Sequence, residues 1–151
     1  MMRHNTLLIS QVAAERIREE LDGLLSIPGS GRFLSYMEEL GLLSAVIPEV
    51  AVTRGVIQPK EHFWDVLQHS LKMVEAFDYL LRQGPWPYAD AVGDVVWSSG
   101  LRDYFAARVG SGGNRAALFR IAALLHDVAK PSTRTVEAGG KVRFLGHAQD
   151  G

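Results

Sequence analysis

Cysteine is absent from this chain. That removes disulfides, thiolate metal sites and cysteine nucleophiles, and it fits a cytoplasmic protein. No apolar run reaches the length that would span a bilayer, and no signal-peptide pattern opens the chain, so a membrane partner is not expected. Neither sign of charge dominates: 16 basic and 17 acidic residues leave a formal net charge of -1. Whole-molecule attraction to nucleic acid is thereby excluded, although a local basic face is not. There is no Gly-x-x-x-x-Gly-Lys-Ser/Thr phosphate loop and no Gly-x-Ser-x-Gly elbow. Gly29-Ser30-Gly31 and Gly110 to Gly113 read as flexible turns. Aromatic residues are not interleaved with basic ones, which argues against single-strand stacking, and Trp64, Trp86 and Trp97 read as core or partial-core residues.

What is present is a chain of 151 residues, 47% hydrophobic, enough for one ordinary domain with a core. Ser10 is placed to cap a helix over Gln11 to Leu25, with Ala13, Ile17, Leu21 and Leu24 on one face. A second helix is expected over Arg32 to Leu40 with Gly41 at its C-terminal cap, then a short apolar helix over Leu42 to Ile47 ended by Pro48. Glu49 to Lys60 reads as an extended connection. A long helix follows over His62 to Arg82, with Val66, Leu67, Met73, Val74, Phe77, Leu80 and Leu81 as its apolar stripe, stopped by Gly84-Pro85-Trp86-Pro87. Leu101 to Val109 is expected to be helical, and Asn114 to cap a helix over Arg115 to Ala129. Thr133 to Gly146 has the pattern of a β-hairpin turning at Gly139-Gly140. The expected fold class is all-α, a mainly helical bundle with one small hairpin near the C-terminus.

Two groups of residues could carry chemistry. His62, Asp65 and His69 fall three and four apart on the long helix and so share a side, with Lys72 a turn further on. A solvated polar face would look the same. His126-Asp127 is more specific, because two metal-ligand side chains end an apolar helix whose C-terminus favours a cation. Here too a local hydrogen bond by the aspartate would account for the pair. His147, with Asp150 three residues on, offers a further imidazole. Without thiolates, imidazole and carboxylate suit Mn, Fe, Co, Ni, Zn or Mg, which could activate water and polarise a phosphoryl oxygen. Lys130 and Arg134 are placed to hold an anionic substrate, although Lys130 equally complements the helix C-terminus.

Three stretches carry a family resemblance: Glu61 to Leu80 with Asp65-Val66-Leu67-Gln68-His69; Leu124-Leu125-His126-Asp127-Val128-Ala129-Lys130-Pro131; and Val142 to His147. In combination they resemble HD-domain metal-dependent phosphohydrolases. The closer resemblance is to the helical and HD regions of bacterial tRNA nucleotidyltransferases and poly(A) polymerases, with Ser10 to Leu25 (Glu15 to Leu21 within it) and Gly41-Leu42-Leu43 to Val50 similar to the helical segment before the HD region. The resemblance implies a body-like segment over residues 1–58 and an HD domain over 59–151. It implies His69, His126 and Asp127 as metal ligands and His147 as a ligand to a second metal. Asp127 and Lys130 would be catalytic, and Lys130, Arg134, His62 and Asp65 would face substrate. The family's last ligand is an aspartate on a later helix, which the sequence does not reach before Gly151, and Asp150 is too near His147 to replace it. No Gly-Ser pair followed by Asp-x-Asp stands near the N-terminus, so the nucleotide-transferring head is absent and nucleotide transfer by this chain alone is not expected.

These features lead to a phosphohydrolase acting on a phosphomonoester or a cyclic nucleotide phosphodiester. The alternative is an RNA-processing scaffold or RNA-binding fragment of such a nucleotidyltransferase, inactive alone. A domain short of its last helices would also expose apolar surface and self-associate into a homo-oligomer.

Overall fold

A computed structural model describes residues 6–59, 63–91, 98–110 and 112–151. After a 3-10 turn over Thr6–Gln11, the chain forms α1 (Ala14–Ser26), α2 (Ser30–Glu39), α3 (Leu42–Val46) and α4 (Pro48–Ala51). The longest helix, α5 (Val66–Leu80), follows, then α6 (Ser99–Ala106) and α7 (Arg115–Leu125). A hairpin of β1 (Arg134–Val136) and β2 (Val142–Phe144) leads to α8 (His147–Asp150). The fold is thus mainly helical with one antiparallel hairpin, paired Arg134 to Phe144, Thr135 to Arg143 and Val136 to Val142.

The helix ends differ from expectation where capping chemistry differs. Ser10 lies in the 3-10 turn rather than at the start of α1, which begins after Ala13 without a side-chain cap. Pro48 opens α4 at its first turn, where a missing N–H costs nothing, so the expected extended connection begins with helix. α5 starts at Val66 because Asp65 caps it, its Oδ1 accepting from the Gln68 amide at 2.7 Å. Asn114 caps α7 as expected, accepting from the Ala117 amide at 2.9 Å, but the helix ends at Leu125 and tight turns continue through Thr133.

One apolar core joins the sequence on either side of residue 58. Leu25, Leu34, Leu43 and Val50 pack with Leu67, Leu71, Val74, Ala117, Ala123 and Leu124. α2 crosses α5 closely enough that a Cβ at Gly31 would stand 2.8 Å from the Glu75 backbone nitrogen, so glycine is required there. Beside that crossing, Arg120 of α7 is completely buried and Asp78 of α5 is 2% exposed. Arg120 Nε donates to Asp78 Oδ1 at 2.8 Å, Nη1 to the Leu25 carbonyl at 2.6 Å, and Nη2 to Gln83. The second Asp78 oxygen accepts the Gly31 amide at 2.8 Å. One guanidinium therefore ties α1 and α5 to α7, and its partner aspartate ties in α2. Among the described residues no helix is long and apolar enough to cross a membrane.

Candidate metal centre

The polar residues at the end of α7 converge with the first turn of α5. α7 closes at His126, and the turn after it buries Asp127 to 2% exposure. Asp127 Oδ2 lies 3.0 Å from His126 Nε2, 3.8 Å from His69 Nε2 and 2.7 Å from Lys130 Nζ. Its Oδ1 lies 3.4 Å from His147 Nε2, because the hairpin and α8 bring that imidazole back over the turn. The ligand atoms of His69, His126 and Asp127 all lie within 4.8 Å of one another.

Two observations fit this set to a cation. The Nδ1 atoms of His126 and His147 face the carbonyls of Ala123 at 2.9 Å and Phe144 at 2.6 Å. A protonated Nδ1 donating to each carbonyl leaves Nε2 with its lone pair toward Asp127, the tautomer a metal ligand needs. Second, the buried Oδ2 has no well-aligned hydrogen bond among the described residues, although Lys130 Nζ and His126 Nε2 stand beside it. The separations of 3.0 and 3.8 Å bracket the roughly 3–3.5 Å expected between donors that share a metal at about 2.1 Å.

Electrostatics complicates that fit. Burial alone would push the Asp127 carboxyl up, but His126 and Lys130 outweigh it and hold the group well below the usual carboxylate range. The same contact raises His126 above an ordinary imidazole, against its partial burial. For the metal-free protein the sign is clear: a raised His126 contributes stability below its ordinary value of 6.5 and loses it as pH rises through the folded value. A metal needs the deprotonated ring, so its uptake follows the opposite sign. Titration calorimetry with Mn or Zn is expected to give clear binding at pH 8 and strong weakening by about pH 6. Equal affinity at both would exclude His126 as a ligand.

Lys130 places a competing ammonium on the same carboxylate, and it is held there from behind. Its Nζ donates to Gln58 Oε1 at 2.6 Å and stands 5.6 Å from the centre of the Phe144 ring. Gln58 was not readable as part of this site, since the segment around it has the pattern of a connector. Two other residues expected to face substrate, Asp65 and Arg134, are among the described residues. Asp65 is engaged as the α5 cap, and its second oxygen accepts the Gly55 amide at 2.8 Å. Arg134 is exposed at the start of β1, opposite Phe144. Lys72 pairs with Glu75 at 2.6 Å. His62 lies outside the described residues.

Comparison with known proteins adds a second line. A family model described as "Probable RNA and SrmB- binding site of polymerase A" matches residues 1–53. The CC-adding tRNA nucleotidyltransferase of Thermus thermophilus is 33% identical over 140 residues, covering 92% of this chain and 25% of that protein. The A-adding tRNA nucleotidyltransferase of Deinococcus radiodurans is 32% identical over 140 residues, with the same shares covered. The chain thus spans about a quarter of the length of the relatives it matches.

Proposed function

From its relation to tRNA nucleotidyltransferase and poly(A) polymerase-like proteins, we propose that this chain is an RNA-handling, scaffolding part of such a protein, inactive alone in nucleotide transfer. The observation that carries this reading is the reach of the similarity. It runs from the stretch matched as RNA-binding through the His69, His126 and Asp127 cluster. Residues 1–58 would be the RNA-handling body and 59–151 an HD-type domain packed on it through the shared core. Arg16, Arg18 and Arg32 are exposed on the matched helices, interleaved with Glu15, Glu19 and Glu20. Such mixed charge supports only a few phosphate contacts. Filter binding of tRNA is therefore expected to weaken by about tenfold or more between 50 and 200 mM salt. Absence of salt-sensitive binding counts against the reading.

The His/His/Asp cluster around buried Asp127 favours a second reading, a metal-dependent HD-type phosphohydrolase acting on a phosphorylated small molecule or nucleotide. His69, His126 and Asp127 would hold a divalent Mn, Fe, Co, Ni, Zn or Mg ion, with His147 on the other Asp127 oxygen. The ion would supply a bound water of lowered pKa and polarise a phosphoryl oxygen. Lys130 would offset negative charge at the phosphate, and Arg134 would reach it only from the exposed hairpin. This reading ranks second because the single carboxylate of the cluster is already neutralised by Lys130.

A further inference from the structure

The ammonium of Lys130 is enclosed by groups that each favour a cation. Asp127 Oδ2 lies 2.7 Å from Nζ, Gln58 Oε1 2.6 Å, and the centre of the Phe144 ring 5.6 Å. The polar members are buried: Lys130 is 7% exposed, Gln58 5% and Asp127 2%. The Gln58 amide is fixed as well, because its Nε2 donates to the Trp64 carbonyl at 3.2 Å. With the nitrogen engaged there, the end of the amide that faces the lysine is the oxygen, which can only accept.

A lysine at a surface avoids an approaching cation by swinging its flexible stem into water. Burial and the fixed Gln58 amide remove that escape here. His126 and His69 approach the same Asp127 oxygen, at 3.0 and 3.8 Å. A divalent ion held by His69, His126 and Asp127 would therefore meet the ammonium at one carboxylate, and like charges so close repel strongly where water is excluded. We propose that Lys130, held by Gln58, is a resident cation that competes with divalent metal for Asp127 and so sets how tightly the cluster takes an ion. Gln58 is then a positioning residue, acting only through the lysine. This assignment rests on the metal-dependent reading of the cluster and goes beyond it, from which side chains hold the ion to what limits its affinity.

The test is calorimetric titration of the full chain with Mn and, separately, Zn at pH 8, comparing the parent with Lys130→Met and Gln58→Leu. Methionine keeps the stem without its charge; leucine removes the amide that holds the ammonium in place. Metal affinity is expected to rise about tenfold or more in Lys130→Met, the scale on which groups behind a ligand tune a metal site, and by a smaller factor in Gln58→Leu. A given metal concentration should also raise the melting temperature of Lys130→Met by more than that of the parent. If Lys130→Met does not fold, Gln58→Leu, in which both charges remain, decides alone: tighter binding supports the restraint, and equal or weaker binding overturns it. Equal or weaker binding in a folded Lys130→Met overturns it too, and leaves the metal-dependent reading standing. No binding by the parent or by either variant overturns both.

Discussion

Arg120→Ala is expected to unfold the protein more readily than any single change at the candidate metal centre. The guanidinium is fully buried, and its hydrogen bonds reach three places in the chain: the end of α1, Asp78 on α5 (twice), and Gln83 beyond it. Removing it leaves the Asp78 carboxylate buried, with only the Gly31 amide as a hydrogen-bond partner among the described residues. Breaking one side of a buried ion pair costs about 3–5 kcal/mol, much of it the cost of stranding the other charge. For a chain of this size that lowers the melting temperature by on the order of 10 °C. A thermal melt followed by circular dichroism measures it. Arg120→Met combined with Asp78→Leu should recover much of the loss, because an apolar pair removes both charges together. If Arg120→Ala melts within about 2 °C of the parent, the pair is not what joins the helices.

Asp127→Ala is expected to abolish metal binding. Asp127 is the one carboxylate of the His69, His126 and Asp127 cluster, and without it only imidazoles would be left to hold a cation beside the Lys130 ammonium. Loss of a direct ligand should exceed the 10- to 100-fold effect typical of the groups that only orient ligands, so affinity should fall by more than about 100-fold. Elemental analysis after exposure to Mn, Co, Ni, Fe, Zn and Mg checks it against the parent chain. Asp127→Asn is the better control for folding, since it keeps the side chain's volume beside buried Lys130. Stoichiometric metal in the parent and none in Asp127→Asn would bring the phosphohydrolase reading forward. No metal in the parent, or equal metal in both, would remove it and leave the scaffold.

Local chemistry was readable in the sequence; the buried long-range pairings of Arg120 and Gln58 were not. The hairpin and the Asn114 cap follow from turn and capping residues and are present. Asp65 and His69, four apart, look like one helical face and so predict an earlier start for α5, whereas Asp65 is its cap. His126, Asp127, Lys130 and His147 were legible as a set and do come together. Arg120 was not singled out, because its partner Asp78 is 42 positions away and no periodicity links them. Gln58 was hidden for the same reason, being 72 positions from Lys130.

The Arg120 joint has one further property. A guanidinium keeps its charge at any pH a cell reaches, whereas an imidazole such as that of His126 changes charge near neutrality. The molecule therefore places a charge that does not switch where its helices meet, and one that does at the mouth of its polar cluster. Acidification can alter what the cluster holds while the guanidinium that joins the helices stays as it was.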